Sequence, residues 1–264
     1  MEHQGKVEQQ FGAQAQAYLG SAVHAQGADL QQLAALAAAQ ARGRPHILDL
    51  GCGAGHASFA VAPHAAAVIA YDLSADMLGV VADAARARGL DSIHTRQGPA
   101  ERLPFADADF DLVISRYSAH HWSDPAAALA EAARVLRPDG ILCFIDVVGP
   151  EGPHAALLDT HLQALELLRD VSHVRDYAPH EWLAMLQAAG LAAEESRRWR
   201  IDIEFVSWLA RMRTPMALEA ALRQLLAGAP DEVRRHYAVT PMLDFQLEAA
   251  MFTARHLAVG VASS

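Results

Sequence analysis

Short apolar runs alternate with longer alanine-rich stretches through residues 46–148. Each run has the length of a strand and ends in glycine or a polar residue, and most of the stretches between them carry apolar residues at helical spacing. The predicted strands span 46–50, 65–72, 92–98, 110–116 and 140–148. The predicted helices span 54–62, 74–89 and 124–140, with Ser74 and Asp124 as N-caps and RPDG (137–140) as the last stop. This alternation predicts a parallel sheet with helices on both faces.

Two more strands and several helices are predicted outside this region. The strand-like stretches are LAAEESRRWRIDIEF and MLDFQLEAAMFTARHL, and the helical ones are 154–170, 179–189, 207–213, 215–227 and 231–237. Residues 1–45 are predicted to form an N-terminal helical arm that ends at RGRP (42–45). We therefore expect one domain over 46–264, with a ligand-binding core at 46–148 and substrate-side helices and the last sheet strands at 149–264.

Composition narrows the class of protein. Hydrophobic residues make up 52% of the chain and charged residues 20%, as in folded globular proteins, and the formal net charge is −10. That charge argues against a nucleic-acid partner, so the cluster RRWR (197–200) is interpreted as a solvated strand or loop. Cys52 and Cys143 are too few for a disulfide framework, and neither a membrane span nor a signal peptide is evident. We expect a cytoplasmic protein.

The loop after the first strand, DLGCGAG (49–55), carries the most specific chemistry. Its three glycines allow a tight turn and a close backbone approach to a ligand, and a helix N-terminus follows. A dinucleotide fingerprint requires glycine at the position of His56. Asp49 would also repel a pyrophosphate, but it suits a ligand with an ammonium and a sulfonium. Asp72, at the end of the second strand, is spaced to accept hydrogen bonds from ribose hydroxyls.

Together these motifs resemble class I S-adenosylmethionine-dependent methyltransferases. Within that class the chain is similar to the small-molecule branch related to ubiquinone and menaquinone C-methyltransferases. The matching stretches are ILDLGCGAG, AYDLSADML, GPAERLPFADADFDLVISR, HHW and EAARVLRPDGIL. The resemblance implies S-adenosylmethionine as cofactor. It also implies an α/β fold with a Rossmann-like, doubly wound, mostly parallel seven-stranded sheet, an N-terminal helical arm and extra C-terminal helices that form a cap.

The resemblance also implies where the cofactor is held. The residues expected to contact it are Tyr18, Asp49, Gly51, Cys52, Gly53, Asp72, Leu73, Met77, Pro99, Ala100, Glu101, Ser115 and Arg116. Asp49 and the glycine-loop backbone are expected at the methionine end and Asp72 at the ribose. Leu73 and Met77 would pack on the adenine. Relatives often have aspartate where this chain has Pro99, so the Ala100 amide and Glu101 become the expected contacts of the adenine edge.

Two adjacent histidines follow the fourth predicted strand, in SRYSAHHWSD (115–124). No H-x-x-x-H or C-x-x-C pattern accompanies them, so a metal site is not expected. Either one histidine bonds a backbone carbonyl in a structural loop, or one of them, in this case His121, faces an acceptor pocket whose wall runs from 117 to 122. His173 and Arg175 are candidates for the same pocket. His121 and His173 are the candidate bases, needed only if the acceptor must lose a proton.

The predicted function is methyl transfer to a small molecule on carbon or oxygen. Nitrogen remains an alternative, and so does a non-catalytic module that binds the cofactor. An NAD-dependent oxidoreductase is disfavoured by Asp49 and His56. A macromolecular acceptor is disfavoured because the chain lacks an asparagine-proline-proline-aromatic motif. We expect a monomer or a homodimer.

Overall fold

Seven strands build a single mixed sheet at the centre of the computed structural model, which describes residues 2–12, 27–40 and 43–257. In chain order the strands are β1 (His46–Leu50), β2 (Ala67–Asp72), β3 (Ile93–Gln97), β4 (Phe110–Arg116), β5 (Leu136–Val147), β6 (Leu191–Ile203) and β7 (Phe245–His256). Their spatial order is β3-β2-β1-β4-β5-β7-β6, with β7 antiparallel to both of its neighbours. This architecture confirms the predicted doubly wound α/β fold.

Ten helices are found in the described part of the chain. They are α1 (His3–Gly12), α2 (Ala28–Ala38), α3 (His56–Val61), α4 (Ala75–Ala87), α5 (Pro125–Val135), α6 (Ala155–Arg169), α7 (Pro179–Ala188), α8 (Phe205–Met212), α9 (Met216–Ala227) and α10 (Asp231–His236). The predicted caps are present, because Ser74 accepts a hydrogen bond from the Met77 amide and Asp124 accepts one from the Ala127 amide. No helix among these residues is both long and apolar enough to cross a membrane.

The strand order reverses between β1 and β4. β1 pairs in parallel with β2 on one side and with β4 on the other, so the loops after β1 and β4 diverge and leave a crevice between them. The glycine loop follows β1 and the double histidine follows β4. The topology therefore brings the two most informative sequence motifs to one place.

One predicted boundary is wrong. The helix that begins at Pro125 ends at Val135, and residues 136–140 are part of β5 rather than its helical stop. Leu136 is buried and pairs with Phe110, while Arg137 forms an ion pair with Asp111 at 2.9 Å. These two tertiary contacts hold the segment extended against the tendency of RPDG to form a turn.

Apolar side chains alternate between the two faces of the sheet. One face buries Leu48, Phe144 and Phe252 together with Trp182 of α7. The opposite face buries Ile47, Leu112 and Ile114 against the helices α2 and α3. β6 is an edge strand, and its arginines at 197, 198 and 200 are exposed, as predicted for a solvated strand.

Candidate active site

A cavity of about 1060 Å³, including its opening to solvent, lies at the carboxyl ends of β1, β2 and β4; we call it the glycine-loop cavity. Its floor is the turn after β1, where Gly51, Gly53 and Gly55 have φ angles of +71°, +50° and +84°. These left-handed conformations favour glycine, which explains the spacing of the glycines in the sequence. Gly51 and Gly53 therefore contribute bare backbone to the lining of the cavity.

Asp49 carries a buried carboxylate in the wall of this cavity. It is 1% exposed, and its Oδ2 accepts a 2.5 Å hydrogen bond from the Ser58 hydroxyl. Its Oδ1 is buried without a hydrogen-bond partner among the described residues. Burial raises the pKa of Asp49 to about 6, with the Ser58 hydrogen bond opposing the shift. A cationic ligand in the cavity would supply the missing partner of Oδ1.

Asp72 is the second carboxylate of the glycine-loop cavity. Its two oxygens accept hydrogen bonds from the amides of Gly53 at 2.8 Å and Ser74 at 2.9 Å. Burial raises its pKa, while these amide hydrogen bonds act in the opposite direction. The amides hold the carboxylate rigidly at the end of β2, where each oxygen retains capacity to accept a further hydrogen bond.

Most residues predicted to contact the cofactor line this cavity. They are Asp49, Gly51, Cys52, Gly53, Asp72, Leu73, Met77, Pro99, Ala100, Glu101 and Arg116. Ser115 does not; it is 4% exposed, and its hydroxyl is buried without a partner among the described residues. It lies on β4 one residue before Arg116, where the lining of the cavity begins. Its side chain is therefore buried inside the strand rather than at the rim of the cavity. Tyr18 lies outside the described residues.

The sequence analysis missed the lining residues of helix α1, which contributes His3, Gln4 and Val7. The turn after β4 contributes Ser118 and Trp122, which were predicted as wall of the acceptor pocket but line the glycine-loop cavity. Nε2 of His3 donates a 2.9 Å hydrogen bond to the carbonyl oxygen of His121, which ties α1 to this turn. Nothing in the local pattern of α1 signals this role, because the contact joins residues far apart in the chain.

A second cavity, of about 1270 Å³ including its opening, adjoins the first; we call it the tryptophan cavity after Trp199 and Trp208. The two cavities share three lining residues, Arg116, Tyr117 and His121. Polar and charged side chains complete the wall, among them Asp29, His120, Glu166, Arg169, Asp170, Asp176, Arg197, Arg200 and Arg211. Arg116 is fixed between the cavities by a buried 2.6 Å ion pair with Asp29 of α2.

The two adjacent histidines have different surroundings in this wall. Nδ1 of His120 lies 2.6 Å from Oδ1 of Asp146, which is fully buried on β5. Nδ1 of His121 donates to the carbonyl oxygen of Ser172 at 3.1 Å. Burial lowers the pKa of both rings, but the Asp146 carboxylate outweighs it for His120 and raises that pKa to about 9. The pKa of His121 falls to about 4 through burial and the neighbouring His120.

His173 and Arg175 do not line either cavity. Nε2 of His173 donates to the amide oxygen of Gln163 at 3.0 Å, and its ring lies behind the pair, 5.8 Å from the ring of His120. Burial lowers the pKa of His173 to about 2. Arg175 forms an ion pair with Asp159 at 3.2 Å. These two predicted residues therefore lie outside the walls of the two cavities, because the loop turns them toward α6.

No group of three His, Cys, Asp or Glu side chains within residues 2–12, 27–40 and 43–257 is arranged to hold a metal ion. Cys52 and Cys143 are both buried free thiols.

Comparison with known proteins identifies the family of this fold and cavity. A family model described as a methyltransferase domain matches residues 48–144. The uncharacterized methyltransferase YcgJ of Bacillus subtilis is 37% identical over 233 residues, which cover 88% of this chain and 90% of the relative. The chain belongs to the S-adenosylmethionine-dependent methyltransferase family. The crystal structure of YcgJ matches this methyltransferase with a TM-score of 0.82 at 34% identity, covering 87% of this chain and 99% of that one.

Two further relatives of the methyltransferase extend the comparison. The uncharacterized protein YafE of Escherichia coli is 51% identical over 189 residues, which cover 72% of this chain and 90% of the relative. A demethylmenaquinone methyltransferase of Lactiplantibacillus plantarum is 37% identical over 112 residues, or 41% of this chain and 47% of the relative. The similarity to YafE and YcgJ spans most of their length, whereas the similarity to the named enzyme covers less than half of it.

The glycine-loop cavity fits S-adenosylmethionine, which carries an ammonium and a sulfonium. The buried Oδ1 of Asp49 lacks a partner among the described residues and lines the cavity, as an acceptor for an ammonium would. Asp72 offers two oxygens for a pair of ribose hydroxyls. The carboxylates of Asp49, Asp72 and Glu101 line one cavity, where they complement a cation and repel a pyrophosphate, which agrees with the absence of the dinucleotide fingerprint.

We predict that Gly51→Ala destabilises the methyltransferase more than Gly53→Ala. Both substitutions place alanine in the left-handed region, at a cost of about 1–2 kcal/mol. A Cβ at position 51 would in addition collide with the Ser118 side chain, whereas a Cβ at position 53 meets no atom within 4 Å. Overpacking of this kind costs about 1–3 kcal/mol more. Thermal unfolding of the two variants measures the difference, and equal losses of stability would contradict the close approach of Ser118.

We predict that S-adenosylhomocysteine slows amide exchange in α1. This helix covers the glycine-loop cavity through His3, Gln4 and Val7, so a ligand beneath it adds contacts to a helix held by few hydrogen bonds. Hydrogen-exchange mass spectrometry should show severalfold slower exchange over 3–12. The reference segment is α9, which lines neither cavity. Unchanged exchange in α1 at saturating ligand would show that the helix does not contact the cofactor.

Proposed function

We propose that the protein transfers the methyl group of S-adenosylmethionine to a carbon or oxygen atom of a small molecule bound in the tryptophan cavity. The observation that carries this proposal is the shared wall of the two cavities. Arg116, Tyr117 and His121 line both, so a cofactor in one cavity and an acceptor in the other would meet there. Such an arrangement supplies proximity and orientation, the main requirements of this reaction.

The residues of the glycine-loop cavity would act by binding and orientation. Bound S-adenosylmethionine supplies an electrophilic methyl group and a neutral thioether leaving group, so no acid is needed for departure. Asp49 would hold the ammonium, Asp72 the ribose hydroxyls, and Met77 and Leu73 would pack against the adenine. α1 would exclude water from above, which strengthens the electrostatic contacts beneath it.

The size and walls of the tryptophan cavity favour a small acceptor. Its volume of about 1270 Å³, which includes the opening to solvent, is of the same order as that of sites that hold one small molecule, on the order of 300–1000 Å³. Trp199, Trp208 and Tyr117 offer aromatic surface, and arginines from β6 surround the opening. The name of the partly similar demethylmenaquinone methyltransferase also agrees with a small acceptor.

A methyl-labelling experiment tests this proposal. The protein is incubated with methyl-labelled S-adenosylmethionine and, separately, with metabolite, protein and RNA fractions of bacterial cells. We expect label in the metabolite fraction, and its loss with the variant Asp72→Ala. Label confined to protein or RNA would contradict a small acceptor. Tight cofactor binding with no label in any fraction would favour the second candidate, a non-catalytic module.

A further inference from the structure

His120 is held in one orientation by a carboxylate whose acceptor positions are all occupied. Oδ2 of Asp146 accepts the backbone amides of Ala119 and His120, at 2.8 and 3.1 Å. Oδ1 accepts the Val147 amide at 2.8 Å and faces Nδ1 of His120 at 2.6 Å. Because the three amides can only donate, Asp146 acts as an acceptor throughout, and Nδ1 of His120 must carry the proton.

Nε2 of His120 is therefore the atom left for a ligand. This nitrogen forms no hydrogen bond within the described residues. It is also not one of the fully buried polar atoms that lack a hydrogen-bond partner in this part of the chain. His120 lines the tryptophan cavity but not the glycine-loop cavity, so it belongs to the acceptor side. The neighbouring ring of His121, with its centroid 4.2 Å away, separates His120 from the cofactor side.

The charges around His120 favour its cationic form. The ionisable groups that face it come from β5, α6, the loop after α6 and its own turn: Asp146, Glu166, Arg169, Asp170, His173, Asp176 and His121. Burial alone would lower the pKa of His120, but Asp146, Asp176 and Glu166 together raise it. His121 is shifted in the opposite direction. Two adjacent groups whose pKa values are shifted in opposite directions are typical of a pair in which one group acts as the acid and the other as the base.

We propose that Nε2 of His120 binds the oxyanion of an acceptor that carries an acidic hydroxyl on a planar conjugated system, and that Asp146 is the positioning residue that keeps Nε2 directed at it. This inference rests on the proposed function and replaces His121 by His120 as the proton-holding group. The aromatic walls formed by Tyr117, Trp199 and Trp208 suit a planar acceptor. An imidazolium complements the charge of the oxyanion and donates to it through Nε2 in a charge-assisted hydrogen bond.

The proton balance of the step is simple. An acceptor that enters as the anion has already released its hydroxyl proton to solvent, and it pairs with the proton that cationic His120 carries on Nε2. An acceptor that enters as the neutral hydroxyl transfers its proton to Nε2 of neutral His120 and forms the same ion pair. The oxyanion, or the carbon conjugated with it, then forms the new bond to the methyl group. The methyl–sulfur bond breaks and leaves its electron pair on sulfur. For transfer to oxygen, His120 returns to solvent the proton that it took from a neutral acceptor, and it stays cationic where the acceptor entered as the anion. For transfer to carbon, the hydrogen of the methylated carbon leaves to water as a proton, and the oxygen of the product takes back the proton of His120.

The test uses 4-nitrophenol and 4-nitrocatechol, whose ionisation is visible in their absorbance. Each probe is titrated into the protein saturated with S-adenosylhomocysteine, at a pH below the pKa of the free probe. We expect the wild-type protein to bind at least one probe as the anion. We expect His120→Gln and Asp146→Asn to weaken that binding about ten- to hundredfold, the range for hydrogen bonds to charged groups.

A matched control is His180→Gln. It removes another histidine–carboxylate pair, that of His180 with Glu151 at 3.0 Å, which is exposed and lines neither cavity. This variant should bind the anion as the wild type does. Because Asp146 also accepts three backbone amides, its variant is expected to lose stability, and His120→Gln then carries the comparison. Binding of both probes only in neutral form, or no saturable change with either, would overturn the proposal.

Two further readouts separate this inference from the proposed function. NMR titration of the histidine ring protons should show one histidine with a pKa near 9, which returns toward its ordinary value in Asp146→Asn. No such histidine in the wild-type protein would overturn the role of Asp146. Failure to bind S-adenosylhomocysteine by calorimetry would refute the proposed function itself. Cofactor binding without anion binding would refute only the inference.

Discussion

Asp72→Ala is expected to weaken the binding of S-adenosylhomocysteine about a hundredfold or more. The carboxylate would accept two ribose hydroxyls while the amides of Gly53 and Ser74 hold it in place. A hydrogen bond to a charged group contributes about 1.5–3 kcal/mol, so the loss of two such bonds costs about 3 kcal/mol or more, which corresponds to about a hundredfold or more in affinity. Isothermal titration calorimetry measures the change directly.

Asp76→Ala is the matched control for this prediction. Asp76 lies in the first turn of α4, is exposed, and does not line the glycine-loop cavity, so the variant removes the same charge nearby without the contact. Its affinity should stay within a few-fold of the wild type. The difference in affinity between wild type and Asp72→Ala should be far smaller for a ligand that lacks the ribose 2′-hydroxyl than for S-adenosylhomocysteine. Equal discrimination with both ligands would show that Asp72 does not contact the ribose.

Asp49→Asn is expected to make the protein more stable at pH 8 while weakening cofactor binding. Burial raises the pKa of Asp49 to about 6, above its ordinary value of about 4. The folded state therefore binds more protons than the unfolded state between these values, and the free energy of unfolding falls as the pH rises through this window. The loss is complete above about pH 6 and amounts to about 2–3 kcal/mol. Asparagine stays neutral and can still accept from Ser58.

The affinity should change in the opposite direction. An ammonium prefers the ionised Asp49, so S-adenosylhomocysteine should bind wild type more weakly as the pH falls below about 6, whereas Asp49→Asn should bind weakly at every pH. Denaturant unfolding at pH 4 and pH 8, together with calorimetry, measures both effects. Asp111→Asn is the control, because Asp111 is buried but paired with Arg137 and the His46 amide. That variant should lose stability at pH 8; a gain like that of Asp49→Asn would remove the electrostatic explanation.

The sequence predicted the elements of the fold well wherever local chemistry decides them. Asp124 followed by Pro125 identifies the start of α5, and the glycines of 51–55 identify the turn after β1, because these residue types stabilise those conformations locally. The end of α5 could not be predicted in this way. There the burial of Leu136 and the ion pair of Arg137 with Asp111 override the local preference.

The candidate site was predictable only on its cofactor side. The carboxylates Asp49 and Asp72 lie at strand ends whose positions follow from the alternating pattern, so their convergence could be foreseen. The partner of His120 could not be foreseen, because Asp146 is 26 residues away in the chain, on a neighbouring strand. In the sequence, Asp146 is only a single polar residue within an apolar run. The cover provided by α1 depends on tertiary contacts such as that of His3 with His121.

The way β6 and β7 are joined separates two tasks of this fold. Ile203, the last residue of β6, pairs directly with Phe245, the first of β7, and the chain between them carries α8, α9 and α10. Trp208 and Arg211 of that excursion reach the tryptophan cavity. A segment that leaves and re-enters a sheet at paired residues can be lengthened, shortened or exchanged without altering strand register. Under the proposed function, acceptor preference can therefore diverge among descendants of such a chain while the half proposed to hold the methyl donor stays unchanged.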